Sequence, residues 1–161
     1  MNAVKMLKQQ HRQVEKLFKQ FTAAKSAGPR GKAFNEIADA LAVHAAIEER
    51  HFYPAVKKQQ TEDLLLESVE EHLEIKRVIA DLLQMDPGDE VFEAKVTVLQ
   101  EDVEHHVEEE EGELFPKVER LIDEEELETI GAAMEETEKD LRSEGNPRDA
   151  VPGETGEAAP I

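Results

Sequence analysis

His44-Ala45-Ala46-Ile47-Glu48-Glu49-Arg50-His51-Phe52-Tyr53-Pro54 is the stretch on which the fold turns, because its plan recurs. The second copy is His106-Val107-Glu108-Glu109-Glu110-Glu111-Gly112-Glu113-Leu114-Phe115-Pro116. In each, a histidine is followed by a glutamate at i+4 and by a proline ten residues on, with an aromatic residue just before the proline. On an α-helix, positions i and i+4 differ by about 40° and about 6 Å. A histidine and a glutamate so spaced share one face and can reach a single metal ion.

Working outward, each copy has a further histidine upstream. His11 precedes His44 by 33 residues and His72 precedes His106 by 34. The halves therefore superimpose with an offset of 61 or 62: His11 on His72, His44 on His106, Glu48 on Glu110, Pro54 on Pro116. Flanking apolar positions agree too, Val14 with Ile75 and Phe18 with Ile79.

The surrounding sequence is helical in period, with nothing alternating at period two. Gly28-Pro29-Arg30-Gly31 and Asp86-Pro87-Gly88-Asp89 read as breaks. Thr61 and Asp123 read as helix N-caps, with acids in the turns that follow. The spacing predicts helices over 2–27, 32–59, 62–85, 90–120 and 124–143. The first four each carry one seam of 3-4 spacing, apolar at its ends and polar near its middle. Four such helices joined by short loops make an all-α, antiparallel, up-down-up-down four-helix bundle. The bundle core occupies 1–120, the helix at 124–143 extends the domain to 143, and 144–161 is a disordered acidic Gly/Pro tail without apolar periodicity.

The polar middle is the chemical signal. A single histidine in a core seam is ordinarily a hydrogen-bonded core residue. Here four seams each hold one, and two add a glutamate one turn on. A buried carboxylate costs several kcal/mol unless its charge is compensated, and no lysine or arginine lies at that level of the seams. A bound cation supplies the compensation, and bundle cores are where such sites are built. Four imidazoles and two carboxylates exceed the needs of one four-coordinate zinc. They suit two ions bridged by carboxylates, iron first on ligand type, with manganese or zinc as alternatives. The remaining histidines carry less. His105, about 100° around its helix from His106, is expected at the surface without function. His51, paired in register with Glu113, reads as a polar pair at the bundle end or as support for the site. Tyr53 falls on the face opposite His44 and is expected to pack rather than to act. Glu49 and Glu111 point away from the seams and reach them only if the helix is distorted, so they read as surface acids.

Composition narrows the function. With no cysteine among 161 residues, thiolate metal sites, iron–sulfur clusters and disulfides are excluded. That suits a reducing, cytoplasmic location. No apolar run approaches the ~20 residues of a membrane span, and the N-terminus is polar rather than signal-like. A net charge of -19 works against nucleic acid and anionic membrane. Oligomeric state is not written in the sequence.

These residues resemble the hemerythrin-like, or HHE cation-binding, family over about 1–120. The resemblance implies a helical bundle around an oxo- or hydroxo-bridged di-iron centre. It implies that His11, His44, His72 and His106 are terminal ligands and that Glu48 and Glu110 are bridging carboxylates. The chain departs from the oxygen carriers of that family at two places. Lys76 stands where they have a second histidine one turn after that of helix 3, and Glu110 stands four residues after His106 where they place an aspartate at five. The pattern is nearer to bacterial hemerythrin-like proteins, iron-centre repair proteins and the iron-sensing domain of a ubiquitin-ligase subunit. Lys76 is expected to carry its charge to solvent, leaving an open coordination position. The function implied is a non-haem di-iron protein acting on peroxide, oxygen or nitric oxide, with catalase-like turnover. The alternative is a non-enzymatic iron or oxygen binding, sensing or storage module. The sequence does not separate enzyme from non-enzyme.

Overall fold

The computed structural model describes all 161 residues and is entirely helical. The long helices are α1 (Ala3–Ala23), α2 (Ala27–Ile47), α4 (Glu62–Leu83), α5 (Glu90–Glu109) and α7 (Glu124–Ser143). Two short helices, α3 (Tyr53–Val56) and α6 (Phe115–Leu121), continue α2 and α5 beyond π-helical turns at Glu48–Phe52 and Glu110–Leu114. A 3-10 helix covers Pro147–Glu154. No helix is long and apolar enough to cross a membrane.

Helix ends follow local chemistry, with two departures from expectation. Asp123 and Asp89 cap α7 and α5, accepting from the Glu126 and Val91 backbone N–H groups at 2.9 Å each. Thr61 precedes α4 as expected but does not cap it. Its hydroxyl instead donates to the Val56 carbonyl at 2.8 Å and accepts from the Lys58 N–H at 2.9 Å, tying off the preceding loop. The Gly28–Gly31 stretch is not a break, because α2 begins at Ala27 and runs through it. Pro29 lies in the first helical turn, where its missing N–H would have had no partner.

The π turns explain the recurring proline. Pro54 and Pro116 cannot donate to the carbonyl four residues back, and the proline ring crowds that carbonyl. The chain answers by widening the turn ahead. The Tyr53 N–H reaches the Glu48 carbonyl and the Phe115 N–H reaches that of Glu110, five residues back in each case. Each widened turn absorbs one extra residue, which shifts the downstream face by about 100°.

The interior divides about the histidine level. One apolar cluster holds Leu7, Ile47, Phe52, Leu65, Leu114 and Phe115 and reaches α7 through Leu127, Ile130 and Met134. The other holds Phe18, Phe34, Ile37, Ile79, Phe92 and Leu99. Helix α7 packs on α1 and α2, so the bundle gains a fifth long helix. Where the chain start crosses α7, Gly131 is buried against backbone. A β-carbon there would collide with the Met1 carbonyl and lie 3.0 Å from the Ala3 nitrogen. Gly131→Ala should therefore cost about 1–3 kcal/mol as overpacking. At roughly 2–4 °C per kcal/mol, thermal unfolding should register a drop of several degrees.

The segment after Gly145 differs most from expectation. Instead of a disordered tail, residues 147–154 pack on α2 and α4 with Val151 buried at 2% exposure. One buried valine and a set of polar anchors hold the segment, and neither creates a periodic signal in the sequence.

Candidate metal centre

The structure brings all six sequence-predicted residues together at the level between the two apolar clusters. His11, His44, His72, His106, Glu48 and Glu110 are each at most 7% exposed. His11 comes from α1, His44 from α2, His72 from α4 and His106 from α5, while the glutamates open the two π turns. Two groups form: His11, His44 and Glu110, and Glu48, His72 and His106. Glu48 Oε1 lies 3.0 Å from His44 Nε2, 3.3 Å from His72 Nε2 and 4.0 Å from His106 Nε2. Glu110 Oε1 lies 3.2 Å from His11 Nε2 and 3.3 Å from His106 Nε2. Each carboxylate thus faces histidines of both groups.

The outward ring nitrogens are all held. His11 Nδ1 donates to Glu111 at 2.7 Å, His44 Nδ1 to the Gln10 side-chain carbonyl at 2.7 Å, His72 Nδ1 to Glu49 at 2.8 Å and His106 Nδ1 to Glu71 at 2.8 Å. Because each partner accepts, the proton sits on Nδ1 and Nε2 points inward as a potential ligand atom. These four acceptors obey the same repeat as the six central residues: Gln10 pairs with Glu71 at an offset of 61, and Glu49 with Glu111 at 62. The internal repeat therefore carried a signal for them. The assignment of Glu49 and Glu111 to the surface is corrected here. Both lie one residue into a π turn, and that distortion is what lets them reach the rings.

Tyr53 is corrected in the same way. The π turn rotates it from the far face into the centre, fully buried. Its O–H donates to Glu110 Oε2 at 2.8 Å and lies 3.2 Å from His72 Nε2. Its counterpart by repeat, Phe115, stacks on His11 with ring centroids 5.9 Å apart. The centre is thus twofold in its nitrogens and acceptors but not in its aromatic residues. Tyr53→Phe should leave Glu110 without its donor, at a cost of about 1–3 kcal/mol to the metal-free protein. That deficit should shrink when metal is bound, and paired melting curves of the two forms would register the difference.

Lys76 also departs from expectation. It is buried at 6% exposure, bonded to Glu49 at 2.9 and 3.0 Å and paired with Glu154 at 3.0 Å. Burial alone would lower its pKa, but the two carboxylates hold it charged and raise it. His51 Nε2 meets the Thr137 hydroxyl on α7 at 2.7 Å, while Glu113 is exposed. His105 is exposed as anticipated, within 3.3 Å of Glu71 and 3.1 Å of Glu109.

The electrostatics are those of crowded opposite charges. Burial works to lower His106, but Glu110 and then Glu48 and Glu71 hold it well above its usual value. His11 and His72 are likewise raised against burial, by Glu110 and by Glu48 with Glu49 respectively. Burial works to raise Glu48, yet the His44 charge and neighbouring hydrogen bonds bring it well below the ordinary carboxylate range. Burial and the charge of Glu110 raise Tyr53 well above the ordinary phenol, so it remains a proton donor at neutral pH.

These residues fit a bound cation. His11 Nε2, His44 Nε2, both oxygens of Glu48 and Glu110 Oε1 are buried without a hydrogen-bond partner. The 3.0 and 3.2 Å contacts among them have ion-pair distance but not hydrogen-bond alignment. Buried polar atoms are rarely left so in native proteins, and here all of them converge on one volume. Beside it lies a cavity of about 30 Å³, walled by Val14, Leu41, Ile75, Ile79, Val103 and Val107 and touching all four histidines.

The chain is similar to known proteins in both fold and sequence. A crystal structure of a hemerythrin HHE cation-binding domain-containing protein from Mycobacterium kansasii superposes with a TM-score of 0.76. It is 25% identical, with 92% of this chain and 96% of that one covered. A DNA nickase of Nostoc sp. is 27% identical over 128 residues, which is 80% of this chain but 36% of that protein. The chain therefore spans about a third of the length of that relative. The family model for the hemerythrin HHE cation-binding domain matches residues 2–118, and the chain belongs to that family.

Proposed function

We propose that this chain holds two iron ions in an antiparallel four-helix arrangement and acts on peroxide, oxygen or nitric oxide. His11, His44, His72 and His106 would be terminal ligands, and Glu48 and Glu110 would bridge. What supports two ions is that the donors fall into two groups, with each carboxylate facing both. Imidazole and carboxylate donors without thiolate favour iron over softer metals. Bound iron would supply Lewis acidity and electron transfer to the small molecule.

The observation that carries the reaction class is the small cavity. Its volume of about 30 Å³ has room for about one water molecule, which limits the substrate to a few atoms. Seven of its twelve lining residues are aliphatic, so apart from the histidines and Lys76 it offers water few partners. The chain's polar groups do the rest. Gln10, Glu49, Glu71 and Glu111 fix the orientation of the four imidazoles, as the partners of metal-bound histidines do. Tyr53 holds a proton 2.8 Å from Glu110 and adjacent to the rings, where it can be lent to a reacting oxygen.

Aerobic purification followed by metal analysis and an optical spectrum tests the centre. About two irons per chain with bridged-iron absorption is the expected result. Peroxide and azide then test the reaction class, with peroxide consumption and an azide-induced spectral change expected. A spectrum that responds reversibly to oxygen, without peroxide turnover, would sink the enzymatic reading in favour of a sensing or storage module. Absence of bound transition metal would sink both.

A further inference from the structure

The chain of polar contacts that ends on His72 begins in the C-terminal segment. The 3-10 helix Pro147–Glu154 packs on both α2 and α4 and is pinned to each. Arg148 donates from its backbone N–H and from Nη1 to the two oxygens of Asp39 on α2, at 2.9 and 2.8 Å. Arg77 on α4 donates to the carbonyls of Thr155 and Gly156 at 3.0 and 3.4 Å. Val151 is buried in the apolar cluster that also holds Leu41, Ile75 and Ile79. Those three residues, with Lys76, wall the cavity beside the histidines.

Glu154 Oε1 pairs with Lys76 Nζ at 3.0 Å, Lys76 Nζ donates to Glu49 at 2.9 Å, and Glu49 accepts from His72 Nδ1 at 2.8 Å. Glu154 is 44% exposed on its side chain, so its Coulombic contribution alone is small. Its contribution is geometric. A lysine stem left to itself turns its ammonium toward water. Held from the far side by Glu154, the ammonium stays aimed at Glu49, and Glu49 stays on the ring. The other half of the centre has no such cover. There Glu111, which holds His11, is paired with the exposed Arg12 beside an open groove of about 450 Å³ between α1 and α5. His11, Val14, Val103 and Val107 border both that groove and the inner cavity.

We propose that the C-terminal segment is a working part of the metal centre: Glu154 and Lys76 are positioning residues that hold Glu49 on His72, and the segment seals the α2/α4 side of the cavity so that small molecules enter from the α1/α5 groove. The metal-loaded arms of the test rest on the reading given under Proposed function. The metal-free arm does not.

Two variants of the full protein, Glu154→Gln and Arg148→Gln, and a deletion of residues 147–161 distinguish the parts. In the metal-free protein, ring nitrogen resonances of His72 should move in Glu154→Gln and in the deletion, and stay put in Arg148→Gln. In the loaded protein, Glu154→Gln should lose metal to a chelator several-fold faster, short of the ~10-fold or more that follows loss of a ligand's own outer partner, here Glu49. Arg148→Gln and the deletion should speed azide binding several-fold by loosening the seal. The positioning role is overturned if Glu154→Gln leaves the His72 resonances and the rate of metal loss within twofold of the parent, or if the resonances of all four buried histidines move together. The seal is overturned if the deletion leaves the azide rate unchanged. A parent that binds no metal would count against the metal-centre reading, and the resonance arm would still decide the positioning role.

Discussion

Glu48→Ala should purify with metal at background level, and the parent with the full complement expected of the proposed centre. The side chain is fully buried, neither oxygen has a hydrogen-bond partner, and it faces His44 and His72 at 3.0 and 3.3 Å. Its carboxylate is one of two charges that face both histidine groups, Glu110 being the other. Removing it would leave each ion two imidazoles and a share in Glu110, too few donors and too little negative charge to hold two cations. Loss of the metal would also remove a large stabilising linkage. Free metal at a thousand times its dissociation constant stabilises a native state by about 4 kcal/mol. At roughly 2–4 °C per kcal/mol, a chelator should lower the melting temperature of the parent by about 8–16 °C per site. The same chelator should leave Glu48→Ala unmoved. Glu48→Gln, which keeps the volume and one acceptor, should fall between them. His105→Ala should keep the core metal, because that ring is exposed and lies outside the two inner groups. Full metal in Glu48→Ala, or core metal lost in His105→Ala with His106→Ala unaffected, would put the donor set in the wrong register.

The convergence of the six central residues was legible because histidine and glutamate are residue types that a helical seam otherwise rejects. Histidine and glutamate at core positions stand out, and the repeat fixes their register twice over. Tyr53, Glu49 and Glu111 were misread for one reason. An ideal period of 3.6 residues was carried through Glu48–Phe52 and Glu110–Leu114, where the helix is π. The two prolines marked those turns, since an interior proline forces a kink, a break or a bulge. Lys76 and the C-terminal segment were misread together. Each looks solvated when considered alone: a lysine with a long stem, and a Gly/Pro/Glu stretch without a seam. Their burial depends on each other, through one ion pair and one valine, and a contact spanning 78 positions leaves no local pattern. The helix through Gly28–Gly31 was missed because proline is a breaker only beyond the first turn.

Raising the pH should separate the metal-free and metal-bound proteins. In the empty centre, His11, His72 and His106 all have raised pKa values, because nearby carboxylates outweigh burial. A group whose pKa is higher folded than unfolded contributes stability below its unfolded value and loses it as pH climbs through the folded one. These three therefore help the metal-free protein below about pH 6.5 and cease to help progressively above it. Glu48, Glu49 and Glu71 are lowered, so their contribution is present above the ordinary carboxylate pKa and disappears as pH falls through the depressed values. The metal-free protein should consequently be most stable between about pH 4.5 and 6.5 and should soften toward pH 9. Metal binding has the opposite slope, since a ligand nitrogen must shed its proton first. Their raised values keep the rings protonated, and competing with the ion, to above the ordinary histidine range, and only as pH climbs through those values are they increasingly free to bind. Melting curves with and without metal should lie close together near pH 5.5 and diverge steadily toward pH 9, with protons released on loading at neutral pH. A gap that stays constant across this range would mean that the inward Nε2 atoms are not where the metal binds, and the assignment of the four histidines would fail with it.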